Sequence, residues 1–300
     1  MYMEKEEYII FNPEGGLGKI IASTAVVKNI KAAYPERKII VVTPWPEVYL
    51  NNPNVYRVFR SGVIPYFYKD YIEGRNTIVL KGEPYFNTGH IYNKQALVKS
   101  WCETHNIKWD GNNIPSLFYT PAEIERVGNQ FIRNKPTLLL QTNGGSYHDN
   151  DKGYCWTRDI PTSQAQVLVD NLKDQYHIFH VSRPNCPVLN NVEQLPEMDK
   201  RTLMLLPGLV QKRILIDSCL QHAAAAFNAK SSVLWIGTSA DVFGYDMHEN
   251  FKPVIEPIEG QNTAGVDSFL FDYDFTGPDH EFPYPQSDIF NLQDIFDSVN

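Results

Sequence analysis

The sequence predicts an α/β protein made of two successive halves, each a parallel sheet flanked by helices. Short β-branched runs alternate with helix-periodic segments along most of the chain. A strand, a Gly-rich turn, a helix and a second strand fall within the first residues in the order of a βαβ unit, which implies parallel pairing with right-handed crossovers. A strong helix start at Thr120 then opens a second series of the same kind. The 300 residues suit two domains of about 150 each.

The elements follow in order. Tyr8-Ile9-Ile10-Phe11 is an apolar run ending in Asn12-Pro13, a buried strand entering a turn. Glycines 15, 16 and 18 lead into apolar positions at helical spacing from Ile20 to Tyr34. Strands are expected at Lys38 to Val42, Val55 to Phe59 and Thr77 to Leu80, and a helix from Ile91 to His105. Thr120, Pro121 and Glu123 spell a capping box with proline at the first helical position, for a helix ending near Asn134-Lys135-Pro136. Strand Thr137 to Gln141, helix Ser163 to Tyr176 and strand His177 to Val181 follow. Ile214 to Ile216, an Ala-rich helix from His222 to Phe227 and Ser232 to Ile236 repeat the alternation. After a Pro- and aromatic-rich stretch the last helix spans Leu292 to Val299. The expected divisions are 1–120, 121–275 and a tail, 276–300.

Composition excludes several classes. The net charge is −8 and the 27 Lys and Arg are scattered, so the basic stripe of a nucleic-acid binder is missing. Aromatics reach 13%, which serves core packing or a cleft that stacks on sugar rings. The four cysteines, Cys102, Cys155, Cys186 and Cys219, form no C-x-x-C pair, and a reducing compartment fits them. The acidic N-terminus precedes only a few apolar residues, neither a secretory signal nor a span of about 20, so the chain reads as cytoplasmic.

Two turns carry the chemistry. Glu14-Gly15-Gly16-Leu17-Gly18-Lys19-Ile20-Ile21 lies between a strand and a helix and mimics the K-G-G-x-G-K-T phosphate loop of ParA-like ATPases. Ile20 stands where magnesium needs a hydroxyl, and Ile21 breaks the dinucleotide pattern G-x-G-x-x-G. In the second half, Ile214-Leu215-Ile216 runs into Asp217-Ser218-Cys219 and the helix of His222. Asp217 and Ser218 are placed to cap that helix, and the N–H groups there suit a pyrophosphate. His222, one turn on, would donate to a phosphate oxygen, and Cys219 at the helix start would have a lowered pKa. A capped core helix with an incidental histidine is the alternative.

The stretch from Ile214 to Ala226 resembles the D-S-G-x-x-H-x-A-A-A segment of the heptosyltransferase family (glycosyltransferase family 9), and Leu234-Trp235-Ile236-Gly237-Thr238 is similar to its L-F-G-x-T. Ala33-Tyr34-Pro35 before Ile39 to Val42, and Asn113 to Glu123 against P-x-L-x-L-T-x-x-E, add to the likeness. So do Leu138 to Gln141 with Asn143 to Ser146, and Arg158-Asp159-Ile160-Pro161 against K-x-W-P. These matches cover about residues 8–245.

The resemblance implies the GT-B architecture, two Rossmann-like domains with an interdomain cleft. The acceptor would sit on the N-terminal side, the nucleotide-sugar on the C-terminal side, and the last helix would pack back on the N-terminal domain. It implies an inverting, metal-independent hexosyl- or heptosyltransferase of lipopolysaccharide or glycan biosynthesis, with no cofactor. Asp272-Tyr273-Asp274 has the D-x-D spelling of a metal signature. The partners would be a nucleotide-sugar donor and a glycan or lipid-linked saccharide acceptor, the latter drawing the chain to a membrane surface as a peripheral protein. Donor contacts carry over to Gly16, Gly18, Asn143, Gly144, Gly145, Ser146, Lys152, Arg158, Asp217, Ser218, Cys219 and His222. Two departures matter: Cys219 replaces a glycine, and Lys19 replaces the aspartate that would act as base. A protonated lysine cannot accept a proton. Glu14 is then the nearest substitute, with Lys19 holding an anion. A sugar-nucleotide binder that lost its base, and a P-loop-like NTPase, are the other readings.

Overall fold

The computed structural model describes residues 6–145, 158–256 and 284–299, and the chain divides into two compact units, Met1–Glu123 and Ile124–Asn300.

The N-terminal unit contains β1 (Tyr8–Phe11), α1 (Leu17–Ala33), β2 (Lys38–Thr43), β3 (Val55–Arg60), α2 (Phe67–Tyr71), β4 (Thr77–Leu80), α3 (Thr88–Asn93) and α4 (Leu97–Thr104). Its strands pair in parallel in the order β3-β2-β1-β4. All of β1 is buried, as an apolar run at the centre of a covered parallel sheet should be. The direction of strand addition reverses at β1, with β2 on one side and β4 on the other. The loops after β1 and β4 therefore leave the same sheet edge as neighbours, joined where Asn12 N donates to Leu80 O at 3.0 Å. The helix expected over 91–105 is two helices, because Lys94 adopts φ 48°, a left-handed value that ends α3.

The capping box is present at α5 (Pro121–Gly128): Glu123 N donates to Thr120 Oγ1 at 3.2 Å and Thr120 N to Glu123 Oε2 at 2.8 Å. The helix stops at Gly128, earlier than expected, and the chain turns through Asn129 to Phe131.

The C-terminal unit contains β5 (Thr137–Gln141), α6 (Thr162–Leu172), β6 (His177–Val181), β7 (Glu193–Gln194), α7 (Lys200–Leu209), β8 (Lys212–Ile216), α8 (Cys219–Ala226), β9 (Ser232–Leu234), α9 (Ala240–Phe243), β10 (Glu249–Phe251) and α10 (Leu292–Val299). Its six strands are parallel in the order β10-β9-β8-β5-β6-β7. The order reverses at β5, so a second switch point lies between β5 and β8. Open α/β sheets bind ligands outside such points, at the carboxyl ends of the strands.

The expectation that α10 packs back on the N-terminal domain is corrected. Ile295 and Val299 are buried in the C-terminal unit's own core with Leu168, Leu172 and Leu234, and Tyr176 Oη donates to Val299 O at 2.7 Å. The approach to the helix settles this. Gln164 of α6 accepts from Ile289 N at 3.0 Å and donates to Phe290 O at 3.1 Å, so the chain reaches α10 already seated on α6.

Candidate functional site

At the C-terminal switch point four segments meet. An added Cβ on Gly144, in the loop after β5, would lie 3.6 Å from Ile216 Cδ1, 3.6 Å from Ser218 Oγ and 3.7 Å from Arg158 Cδ. Gly145 has φ 96°, a conformation that favours glycine. A buried ion pair holds this loop from behind: Arg183 Nη2 donates to Asp159 Oδ2 at 2.6 Å, with 6% and 3% of the side chains exposed. Asp159 Oδ1 accepts from Gly144 N at 3.1 Å, and Asn143 Oδ1 accepts from Arg183 N at 2.8 Å. Asn143 thus faces the β6 side and ties two strand ends together. Arg158 is half-exposed, with Nε 3.7 Å from Oδ2 of the nearly buried Asp217.

The cap expected from Asp217 and Ser218 is absent. Ser218 is the N-cap residue of α8, but its side chain makes no cap hydrogen bond; its Oγ accepts from Gln141 Nε2 at 3.1 Å. Asp217 instead faces Arg158. The first turn of α8 is left without the side-chain acceptor that usually satisfies it, a ready place for an anion. Cys219 is corrected too: burial raises its thiol pKa above the ordinary value, and Ser218 lowers it by less. A partly buried, protonated thiol is a poor nucleophile.

His222 lies on the buried side of α8, 6% exposed, with Nδ1 2.8 Å from Tyr245 Oη and the two rings edge to face. Burial pulls its pKa down to about 4, with Asp217 opposing, so it is neutral at pH 7. This placement sets the ring in the core with Tyr245 as its partner. Sequence reasoning missed three groups in this unit. Gln141 Oε1, Thr238 Oγ1 and Ser239 Oγ are buried without a hydrogen-bond partner among the described residues. Orphaned buried acceptors and hydroxyls are rare and point to a missing ligand or water. The Gly237-Thr238 turn was the available signal for two of them. Ser146, Lys152 and Asp272-Tyr273-Asp274 lie outside the described residues.

In the N-terminal unit, Gly15 has φ 121°, Gly16 is the N-cap of α1 with open space where a Cβ would stand, and Gly18 lies in the first turn. Glu14 is exposed and its Oε1 is 3.2 Å from Lys81 Nζ. The Lys19 side chain is nearly buried, and its Nζ reaches Glu83 Oε1 and Oε2 at 2.5 and 2.6 Å. Burial lowers its pKa from the ordinary value, opposed by Glu83. Ile20 is fully buried and Lys19 is turned to Glu83, an arrangement unlike a P-loop, whose lysine reaches the nucleotide phosphates. Among the described residues no group of three or more His, Cys, Asp or Glu converges as a metal site, and no helix is long and apolar enough to cross a membrane.

Two parallel Rossmann-like sheets in succession, each with a switch point, define the GT-B-like glycosyltransferase fold. Within it, the chain is similar to a family 9 glycosyl transferase from Veillonella parvula, with TM-score 0.61, 12% identity and coverage of 84% of this chain and 86% of that one. It is also similar to the E. coli ADP-heptose LPS heptosyltransferase II, with TM-score 0.59, 14% identity and coverage of 89% and 94%. A dodecameric iron-containing heptosyltransferase, TibC, in complex with ADP-D-β-D-heptose matches with TM-score 0.58, 11% identity and coverage of 93% and 68%. No protein-family model matches the chain, and no curated protein does. At these identities the shared property is the fold.

Proposed function

We propose that this chain is a glycosyltransferase that moves a sugar from a nucleotide-diphosphate-sugar to a hydroxyl of a glycan or lipid-linked saccharide, with inversion and without a metal. The observation that carries this is the C-terminal switch point. There a left-handed glycine loop, the half-exposed Arg158 and the α8 start lacking a side-chain cap meet, and the orphaned hydroxyls of Thr238 and Ser239 follow β9, the strand that pairs with β8. Backbone N–H groups and Arg158 would take the diphosphate, and Thr238 and Ser239 would satisfy polar groups of the nucleoside or sugar. As the bond to the donor diphosphate breaks, Arg158 and the helix start would stabilise the charge on the leaving oxygen. That a protein of this fold is found with ADP-D-β-D-heptose supports a nucleotide-sugar ligand. A lipid-linked acceptor would bring the chain to a membrane surface.

The test is a thermal-shift panel of nucleoside diphosphates, followed by turnover of the matching nucleotide-sugars with and without EDTA. A ligand of the folded state raises the melting temperature by mass action. Release of nucleoside diphosphate that survives EDTA supports the proposal; turnover that EDTA abolishes refutes the metal-independent part.

A second reading, a sugar-nucleotide binder without turnover, is favoured by Lys19 standing where the resemblance places the base and by the solvent exposure of Glu14. Binding without product across the panel would select it.

A further inference from the structure

The N-terminal switch point holds a carboxylate that the sequence did not single out. The first turn of α1, which follows β1, supplies Lys19 and the loop after β4 supplies Glu83, which are neighbours because β1 and β4 pair. Lys19 has 9% of its side chain exposed and Glu83 has 32%, so the cation lies inside and the carboxylate faces outward. The Lys19 ammonium also sits 4.1 Å from the Tyr85 ring centroid and 5.5 Å from that of Trp101. Tyr85 N donates to Glu83 Oε1 at 3.2 Å, making Glu83 the cap of the short helical turn that follows. The carboxylate is therefore fixed by two donors. A carboxylate has about four lone-pair sites, so acceptor capacity remains on its exposed side. Burying an ammonium is costly unless its partner compensates, which ties the position of Lys19 to that of Glu83. Glu14 has no such anchor: its ion pair among the described residues is with Lys81, and both side chains are more than half exposed, at 57% and 60%. Pairs of that kind contribute about 0–1 kcal/mol and do not fix a geometry.

We infer that Glu83 is the general base of the transfer and Lys19 its positioning residue, the carboxylate having moved from the loop after β1 to the loop after β4. The inference rests on the glycosyltransferase reading. Glu83 takes the proton of the acceptor hydroxyl as that oxygen bonds to the anomeric carbon. The bond from this carbon to the diphosphate oxygen breaks, and its electron pair leaves with the nucleoside diphosphate. The hydroxyl grows more acidic as its oxygen bonds, so a carboxylate is a sufficient base.

The experiment compares Glu83→Gln, Glu14→Gln and Lys19→Met with the wild type in the full chain, reading nucleoside diphosphate release on the donor and acceptor that the panel identifies. Glu83→Gln is expected to lower kcat by about 10²–10⁴-fold, with donor KM unchanged and the acid limb of the kcat–pH profile gone. Glu14→Gln should transfer like the wild type. In Lys19→Met kcat should fall while donor KM holds, because the carboxylate loses the cation that positions it. If Glu83→Gln melts early, Glu83→Asp carries the test: it retains the charge, and an unaltered kcat and pH profile would overturn the assignment. Wild-type turnover by Glu83→Gln overturns the inference and leaves the transferase reading standing. A wild type that binds a nucleoside diphosphate yet turns over no donor removes both.

Discussion

Replacing Asp159 by Asn should loosen the C-terminal switch point more than any exposed substitution there. The two oxygens of Asp159 serve different partners, Arg183 Nη2 at 2.6 Å and Gly144 N at 3.1 Å. Asparagine can still accept from Gly144, so the change isolates the charge. At 2.6 Å and an effective dielectric of about 20 the gross attraction is about 6 kcal/mol. Part of that offsets desolvation, and removing one partner of a buried pair costs about 3–5 kcal/mol because the other charge is left uncompensated. That is a large share of a stability of about 5–15 kcal/mol. A chain of two units need not melt in one transition, so hydrogen exchange on peptides spanning β5 and its following loop is the suitable assay. The loss should persist in high salt, since a buried pair is screened little. A change below about 1 kcal/mol would refute the reasoning, placing the pair in the class of exposed ion pairs.

Three further outcomes are expected. Arg158→Ala should weaken nucleoside diphosphate binding by about 1.5–3 kcal/mol in titration calorimetry with little effect on stability, and undiminished affinity would remove Arg158 from the site. His180 and His222 are each pulled down to about 4 by burial, so the unfolded chain takes up protons below about 6.5 while the folded chain does not. Stability present at pH 7 should fall between pH 6.5 and 4, by about 3 kcal/mol per histidine, and a flat profile in urea melts would refute the burial of both. Ile295→Ala should cost the C-terminal unit about 2–5 kcal/mol, read as faster exchange in α6, and an effect confined to residues 8–123 would mean that α10 packs elsewhere.

The sheets were legible because their strands are apolar runs bounded by turn residues. The bounds of β4, β5 and β6 agree with expectation, and so does the capping box at Thr120. Local signals failed where pairing over distance decides. Glu83 is 64 residues from Lys19, and nothing near either residue announces that β4 lies beside β1. Arg183 stands 24 residues from Asp159, and the two meet because β6 flanks β5. His222 carries the family's spelling, yet the phenol that engages it comes from Tyr245, beyond β9. The apolar set of α10 foretold docking but not its partner, which Gln164 decides through contacts 125 and 126 residues away. The break at Lys94 had no proline or glycine to mark it.

The seating of α10 also sets a timetable for synthesis. The N-terminal unit is complete once Glu123 has emerged, whereas the C-terminal core lacks Ile295 and Val299 until the helix Leu292–Val299 is made. From Glu123 to Val299 is 299 − 123 = 176 residues, which at about 5–20 residues per second is roughly 9–35 s. From the moment each emerges until α10 is made, Leu168, Leu172 and Leu234 have no α10 to cover them, while the first unit is already closed. The nascent C-terminal half is thus the part of the molecule most in need of chaperone cover, and a premature stop before residue 292 would release a chain with one finished unit and one that exposes its core.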